Sequence, residues 1–196
     1  LHPRVRRQRQ MCIRDRCLSC VTMNAQKWYA SATTGCDTYT NLYKDLKFGK
    51  TLAPTAAIAI GRDHNPYLGT RLEVRTGNAL FSDGKNIRMN APFLMTFADM
   101  TFNLTNTVCG LNNRIYDVII FGGVGDVYNF KNSTYDMKSL NSFALRYGVS
   151  CDVYVYSNDK LTLFVEPTFN VNNYLIDKKF TSDYILNLSI GVLVKL

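Results

Sequence analysis

An alternation of apolar and polar residues with a period of two constrains this chain more than any other feature. In residues 141–172, "NSFALRYGVSCDVYVYSNDKLTLFVEPTFNVN", apolar side chains fall on every second position from 143 to 155 and again from 161 to 171. Phe164 breaks the rhythm of the second run. Because successive side chains of a β-strand point to opposite faces, this period predicts two strands, each with one apolar face.

Eight stretches of the chain alternate in this way or nearly so, and turn-rich segments separate them. They are residues 28–38, 52–61, 68–77, 92–104, 115–127, 143–155, 161–171 and 184–196. The fifth, which contains "IYDVIIFGGVGDV", is apolar on both faces and rich in Gly, so its inward side is hidden. Helical periodicity is not sustained anywhere, which predicts an all-β chain.

The connections between these stretches alternate in length. Links two and six, "RDHNPY" and "SNDK", are short, and link four, "TNTVCGLNN", is intermediate. The other four run to about a dozen residues each. Short turns on one rim and long loops on the other are typical of outer-membrane barrels, and eight strands place both termini on the short-turn rim.

The period alone does not say which face points inward. No stretch of 18 apolar residues exists, so only a β-barrel would make the chain integral to a membrane. An eight-stranded barrel is just wide enough for side chains to fill it, and the large apolar groups would overfill it. The sequence therefore predicts an eight-stranded antiparallel up-and-down transmembrane β-barrel, with apolar side chains toward lipid.

A soluble, lipocalin-like barrel that binds a small ligand remains the alternative. In that fold the apolar face would line a ligand cavity, so Leu186, Leu188 and Ile190 would point inward.

The faces opposite the apolar ones carry charges whose signs balance. Paired charges in a confined interior offset part of their desolvation cost, so they are predicted to plug the barrel and fix strand register. The predicted lumen charge network consists of Arg71, Glu73, Arg75, Asp99, Arg146, Asp152, Glu166 and Lys195.

The formal charge of +8 does not indicate a nucleic-acid partner. Residues 1–16 hold six Arg and one Asp, which leaves 17 Lys plus Arg against 14 Asp plus Glu, a net of +3. Residues 1–26 are predicted to be a leader outside the fold: the first part resembles adapter-derived sequence and "CLSCVTMNAQ" resembles the end of a secretory signal peptide. The barrel is predicted to occupy residues 27–196.

No catalytic, cofactor or metal site is predicted, and the chain is not expected to be an enzyme. Cys12, Cys17 and Cys20 have the spacing of an iron–sulfur loop but no fourth ligand, and Cys36, Cys109 and Cys151 are scattered singly. His64 lies in a turn-forming "RDHNP" segment. No small-molecule substrate is indicated.

Four segments carry a family resemblance: "KWYASATTG", "KFGKTLAPTAAIAIGRDHNPYLGTRLEVRTG", "FNLTNTVCGLNN" and "LNLSIGVLVKL". In order and spacing they resemble the OmpA-like outer-membrane barrels of Bacteroidetes-type bacteria. The resemblance implies residence in the cell outer membrane, contact with its lipid, insertion by the barrel-assembly machinery, and a structural, surface or minor-porin role. Leu196 stands where that family usually has a terminal aromatic residue.

Overall fold

The computed structural model describes residues 27–40, 52–82, 88–111, 114–130, 140–155, 160–173 and 182–196. The predicted leader, residues 1–26, lies outside them. Eight strands and one short helix form the described part: β1 (Lys27–Thr40), β2 (Ala53–Asp63), β3 (Leu68–Ser82), β4 (Arg88–Asn103), α1 (Leu104–Cys109), β5 (Tyr116–Asn129), β6 (Leu140–Tyr154), β7 (Leu161–Asn173) and β8 (Ser182–Lys195).

The strands form one closed barrel in which each pairs antiparallel with the next and β8 pairs with β1. This confirms the predicted up-and-down topology. The pairing register that starts at Tyr29 passes round all eight strands and returns at Tyr39, a stagger of ten residues. With ordinary strand spacing, that stagger tilts the strands by about 40° from the barrel axis.

Two connections differ from the sequence prediction. β3 and β4 stay paired as far as Ser82 and Arg88, so the predicted long third loop is mostly hairpin. The fourth link contains α1, a helix that the sequence pattern did not predict. The Asn103 side chain caps it by accepting a hydrogen bond from the Asn106 N–H at 2.8 Å. Local capping stabilises such a short helix where no apolar periodicity would reveal it.

The apolar faces point outward. Ile58 is 67% exposed, and Leu188 and Ile190 are each 58% exposed, whereas Ser189 between them is buried. The lipocalin-like alternative is therefore wrong, because it required Leu188 and Ile190 to face the interior. A band of exposed apolar side chains surrounds a largely polar interior, as in barrels whose solvent is lipid.

Exposed aromatic side chains lie near both ends of the barrel. Trp28, Tyr67 and Tyr116 lie at the end where the termini and short turns meet, called here the short-turn end. Tyr128, Phe130 and Phe143 lie toward the opposite, long-loop end. Aromatic girdles of this kind are found at membrane interfaces. Two other aromatic residues near strand ends, Tyr29 and Phe93, instead point into the lumen and are buried. Within the described residues, no helix is long and apolar enough to span a bilayer.

The interior contains an apolar cluster that the sequence analysis did not predict. Phe93, Met95 and Phe97 on β4 point inward and pack with residues of β5, β6 and β8: Val127, Ala144 and Ile185. Strand β4 is apolar on both faces over "PFLM", so the alternation there gave no sign of which aromatic residue would turn inward. This cluster fills the lumen toward the long-loop end.

Candidate functional site

Six of the eight charged residues predicted for the lumen form one buried network near the middle of the barrel. They lie on β3, β4, β6 and β7 and comprise three arginines and three acids: Arg71, Glu73, Arg75, Asp99, Arg146 and Glu166. All six side chains are less than a tenth exposed. Their alternation along each strand places them inside, and the barrel register brings strands distant in sequence to the same level.

Arg71 spans the lumen. It lies on β3, and its Nη1 donates a hydrogen bond to Glu166 Oε2 on β7 at 2.6 Å, while Nη2 donates to Oε1 at 3.3 Å. Its Nε also donates to Asp99 Oδ2 on β4 at 3.0 Å. In a ring of eight strands β3 and β7 are opposite each other, so this bidentate pair is a strut across the barrel.

Arg146 is the second arginine at the centre of the network. Its Nη1 donates to Glu73 Oε1 at 2.5 Å, its Nε donates to Asp99 Oδ1 at 3.2 Å, and its Nη2 also pairs with Asp99. Glu73 in turn accepts a hydrogen bond from Arg75 Nε at 3.0 Å. Each acid therefore contacts at least one guanidinium, which offsets the cost of burying its charge.

Two phenylalanine rings pack against the guanidinium groups. The Arg71 Cζ atom lies 4.5 Å from the centre of the Phe121 ring. The Arg146 Cζ atom lies 4.4 Å from the centre of the Phe97 ring. These cation–π contacts hold the planar groups in place and exclude water from their faces.

Gly123 makes the central contact possible. The register places it on β5 between Asp99 of β4 and Arg146 of β6. A Cβ atom at this position would overlap the Asp99 carboxylate and the Ala98 carbonyl oxygen. The absence of a side chain lets Arg146 reach over β5 to Asp99, and it explains in part why the fifth stretch is rich in Gly.

Asp152 and Lys195 do not join the network. Asp152 is buried nearer the short-turn end, where it accepts a hydrogen bond from the Ser150 hydroxyl. The Lys195 Nζ atom lies 5.1 Å from the centre of the Tyr154 ring. No ion pair within the described residues connects either side chain to the six-residue network. The prediction was wrong in grouping all eight, because inward direction alone does not fix depth along the barrel.

These two residues instead line a cavity of about 230 Å³ between the network and the short-turn end, called here the vestibule. Its wall includes Tyr29, Asp117, Asp152, Tyr154, Thr162 and Lys195. The sequence analysis did not predict it, although inward polar positions at the ends of strands β5, β6 and β7 were the available sign. Among the described residues, no group of three His, Cys, Asp or Glu side chains could hold a metal ion.

No family model matches the chain. Among curated proteins the chain is similar to Outer membrane protein 41 of Porphyromonas gingivalis, a Bacteroidetes species, with 29% identity over 112 residues. The match covers 56% of this chain and 28% of that protein, so the chain corresponds to a minor part of the relative's length.

Several solved outer-membrane barrels have the same fold. Neisserial surface protein A matches with a TM-score of 0.65 and 12% identity, over 86% of this chain and 97% of that one. OprG of Pseudomonas aeruginosa matches with a TM-score of 0.55 and 12% identity, over 88% and 96%. Ail, the attachment invasion locus protein of Yersinia pestis, matches with a TM-score of 0.55 and 10% identity, over 87% and 99%.

The barrel topology, the outward apolar band and these likenesses agree with one another. The expected resemblance to outer-membrane barrels and the expected location are confirmed. The chain is an eight-stranded β-barrel protein of the outer membrane.

Proposed function

We propose that this chain is a structural or surface protein of the outer membrane whose lumen is closed, rather than an open pore. The observation that carries the proposal is the strut from Arg71 on β3 to Glu166 on β7, which crosses the barrel at its middle. A staggered eight-stranded barrel has a backbone radius of only about 8 Å, so side chains that meet across it leave no room for a continuous water column.

A second layer supports the same proposal. The apolar cluster of Phe93, Met95, Phe97, Val127, Ala144 and Ile185 lies between the network and the long-loop end. An ion that entered from that side would meet this cluster before it reached the charges, and it would lose its hydration there. The paired charges and the apolar cluster thus act as two successive barriers.

A catalytic role is not part of the proposal. The imidazole of His64 shares a hydrogen bond with the Thr70 hydroxyl at 3.0 Å and is exposed near the short-turn end. It does not line the vestibule. A general base needs a substrate position within hydrogen-bond reach, and the Thr70 hydroxyl is the partner that the structure gives this imidazole.

The partners we propose are the lipid of the outer membrane and, during insertion, the barrel-assembly machinery. The exposed Ile58, Leu188 and Ile190 side chains would contact acyl chains directly. In barrels of this kind the long loops face the outside of the cell, so a surface role would be carried out by the long-loop end.

Conductance of the purified full chain in planar lipid bilayers tests the proposal. We expect no steady ohmic current from the wild type, because the network and the apolar cluster close the lumen. The folded state of the same preparation is checked by its heat-dependent gel migration. A stable open level from folded protein, reproduced in independent insertions, would overturn the closed-barrel proposal and favour a minor-porin role.

A further inference from the structure

The vestibule is a cavity of the lumen whose wall combines polar, charged and aromatic side chains. Its volume is about 230 Å³, far above the minimum of about 10–15 Å³ that a single water molecule needs. The network side is formed by Arg71 and Phe121, and the short-turn end forms the mouth. A molecule of about that size could enter from this side only, because the network closes the other.

The charges on the vestibule wall are mainly negative. Asp117 and Asp152 line it, and Lys195 is the ammonium among the described lining residues. Arg71 also borders the space, but its guanidinium is occupied by Glu166 and Asp99. The field inside the cavity therefore favours a cation over an anion.

Asp117 and Asp152 differ in the number of hydrogen bonds that their carboxylates accept. Asp117 Oδ2 accepts hydrogen bonds from the Tyr154 hydroxyl at 2.6 Å and from Asn103 Nδ2 at 2.9 Å. Asp152 is only 5% exposed, and Ser150 is its one hydrogen-bond partner in the described part of the chain. An ionised carboxylate can accept about four hydrogen bonds, so Asp152 retains capacity toward the cavity.

A buried hydroxyl without a partner gives independent support. Thr162 on β7 lines the vestibule and is 1% exposed. Its Oγ1 has no hydrogen-bond partner among the described residues. Buried polar groups in native proteins are nearly always bonded, so this hydroxyl keeps the capacity to bond to a molecule in the adjacent cavity.

Aromatic rings complete the wall. Tyr29, Phe121, Tyr154 and Phe164 border the space. Ring faces attract an ammonium group and pack well against short methylene chains. A metal ion fits less well, because no group of three acidic, His or Cys ligands exists among the described residues.

We propose that the vestibule binds a small organic cation that carries one or two amino groups. An ammonium group donates hydrogen bonds to Asp152 and to the Thr162 hydroxyl, and the methylene chain packs against the rings of Tyr29 and Phe164. Because short turns face the periplasm in barrels of this kind, the ligand enters from the periplasmic side. This site goes beyond the closed-barrel role and does not require it.

Titration of the full-length barrel in micelles with putrescine, a four-carbon diamine, tests the proposal by nuclear magnetic resonance. We expect saturable shifts at vestibule residues in the wild type and an affinity at least about tenfold lower in Asp152→Asn. Asp37→Asn is the matched control, because Asp37 is equally buried in the lumen but lies beyond the network, toward the long-loop end. That variant should bind as the wild type does.

Thr162→Val provides a second test that keeps the side-chain shape and removes only the hydroxyl. It decides the matter if Asp152→Asn fails to fold, and it should weaken binding by about fivefold to tenfold. The proposal is overturned if putrescine up to about 10 mM gives no saturable shifts. It is also overturned if the vestibule variants that fold bind as tightly as the Asp37→Asn control.

Discussion

The Arg71 side chain connects three strands of the barrel, because its guanidinium on β3 bonds to acids on two other strands. Glu166 lies on the opposite side of the ring and Asp99 on the neighbouring strand. Removal of one member of a buried charge pair leaves the other charge uncompensated, which typically costs about 3–5 kcal/mol. Replacement of both members by apolar groups costs much less, since no charge is then stranded.

A double-mutant cycle on this strut tests that reasoning. We expect Arg71→Met and Glu166→Leu each to lower the free energy of unfolding by about 3 kcal/mol, and the double variant to lose less than the sum. Urea unfolding in detergent micelles, followed by tryptophan fluorescence, measures the three values. Lys195→Met is the control outside the network. Additive effects within about 0.5 kcal/mol would mean that the two side chains are not coupled.

Gly123 is a second position where one residue decides the interior. Gly123→Ala should destabilise the barrel by about 1–3 kcal/mol, because the added methyl group would overlap the backbone of Ala98 and the Asp99 carboxylate. Gly122→Ala is the matched control on the adjacent residue, which faces outward. There the nearest atom to an added Cβ is the Arg146 carbonyl oxygen at 3.7 Å, an ordinary contact. Equal unfolding free energies for the two variants would contradict this account of the Gly-rich strand.

Within a single strand, alternate side chains face the membrane lipid and the polar lumen. In β8, Leu188 and Ile190 face outward while Asn187 and Ser189 are buried in the lumen. Adjacent positions of one strand therefore tolerate different substitutions: apolar residues on the outer face and polar residues in the lumen. Strand β4 departs from the rule, since Phe93, Met95 and Phe97 point inward, and this gives the barrel its internal apolar cluster.

A charge on the outer face of β8 tests this division. Ile190 pairs with Val165, which is adjacent to the network residue Glu166, so it lies at the level of the network. We expect Ile190→Arg to cost about 2–4 kcal/mol in lipid vesicles, the penalty for a charge near the bilayer midplane. Ile190→Ala, which shortens the side chain without adding charge, should cost far less because lipid fills the gap. Reversible unfolding in vesicles compares them, and similar costs for both would place Ile190 away from hydrocarbon.

At the scale of the whole molecule, closure removes every sheet edge, and the outward apolar band makes the barrel stable only in lipid or detergent. We expect the folded chain to resist sodium dodecyl sulfate at room temperature and to migrate differently before and after boiling. Boiling unfolds the barrel, so the two bands correspond to the folded chain and the unfolded chain. Recovery of a folded monomer from buffer without detergent would contradict the membrane assignment.

The number of strands, their antiparallel order and the lipid-facing side could all be predicted from the amino-acid sequence. These follow from a period of two, from eight repeats of it, and from the limited volume inside a small barrel. Ile58, Leu188 and Ile190 could be placed outside on this ground alone. The same reasoning placed Arg71 and Glu166 inside, because a strand face is a local property of the chain.

Which inward residues contact each other depends on how the whole barrel closes. A stagger of ten residues round the ring sets the depth of every side chain, and no local pattern encodes it. That stagger brings Arg71 to Glu166 across the lumen and leaves Asp152 and Lys195 in the vestibule. Strand β5 hid its inward face, since "IIFGGVG" is apolar or small on both sides, and in β4 the segment "PFLM" gave no sign that the face of Asp99 continues as an apolar cluster. The face on which a side chain lies follows from the alternation along one strand, whereas its depth along the barrel depends on the register of all eight strands.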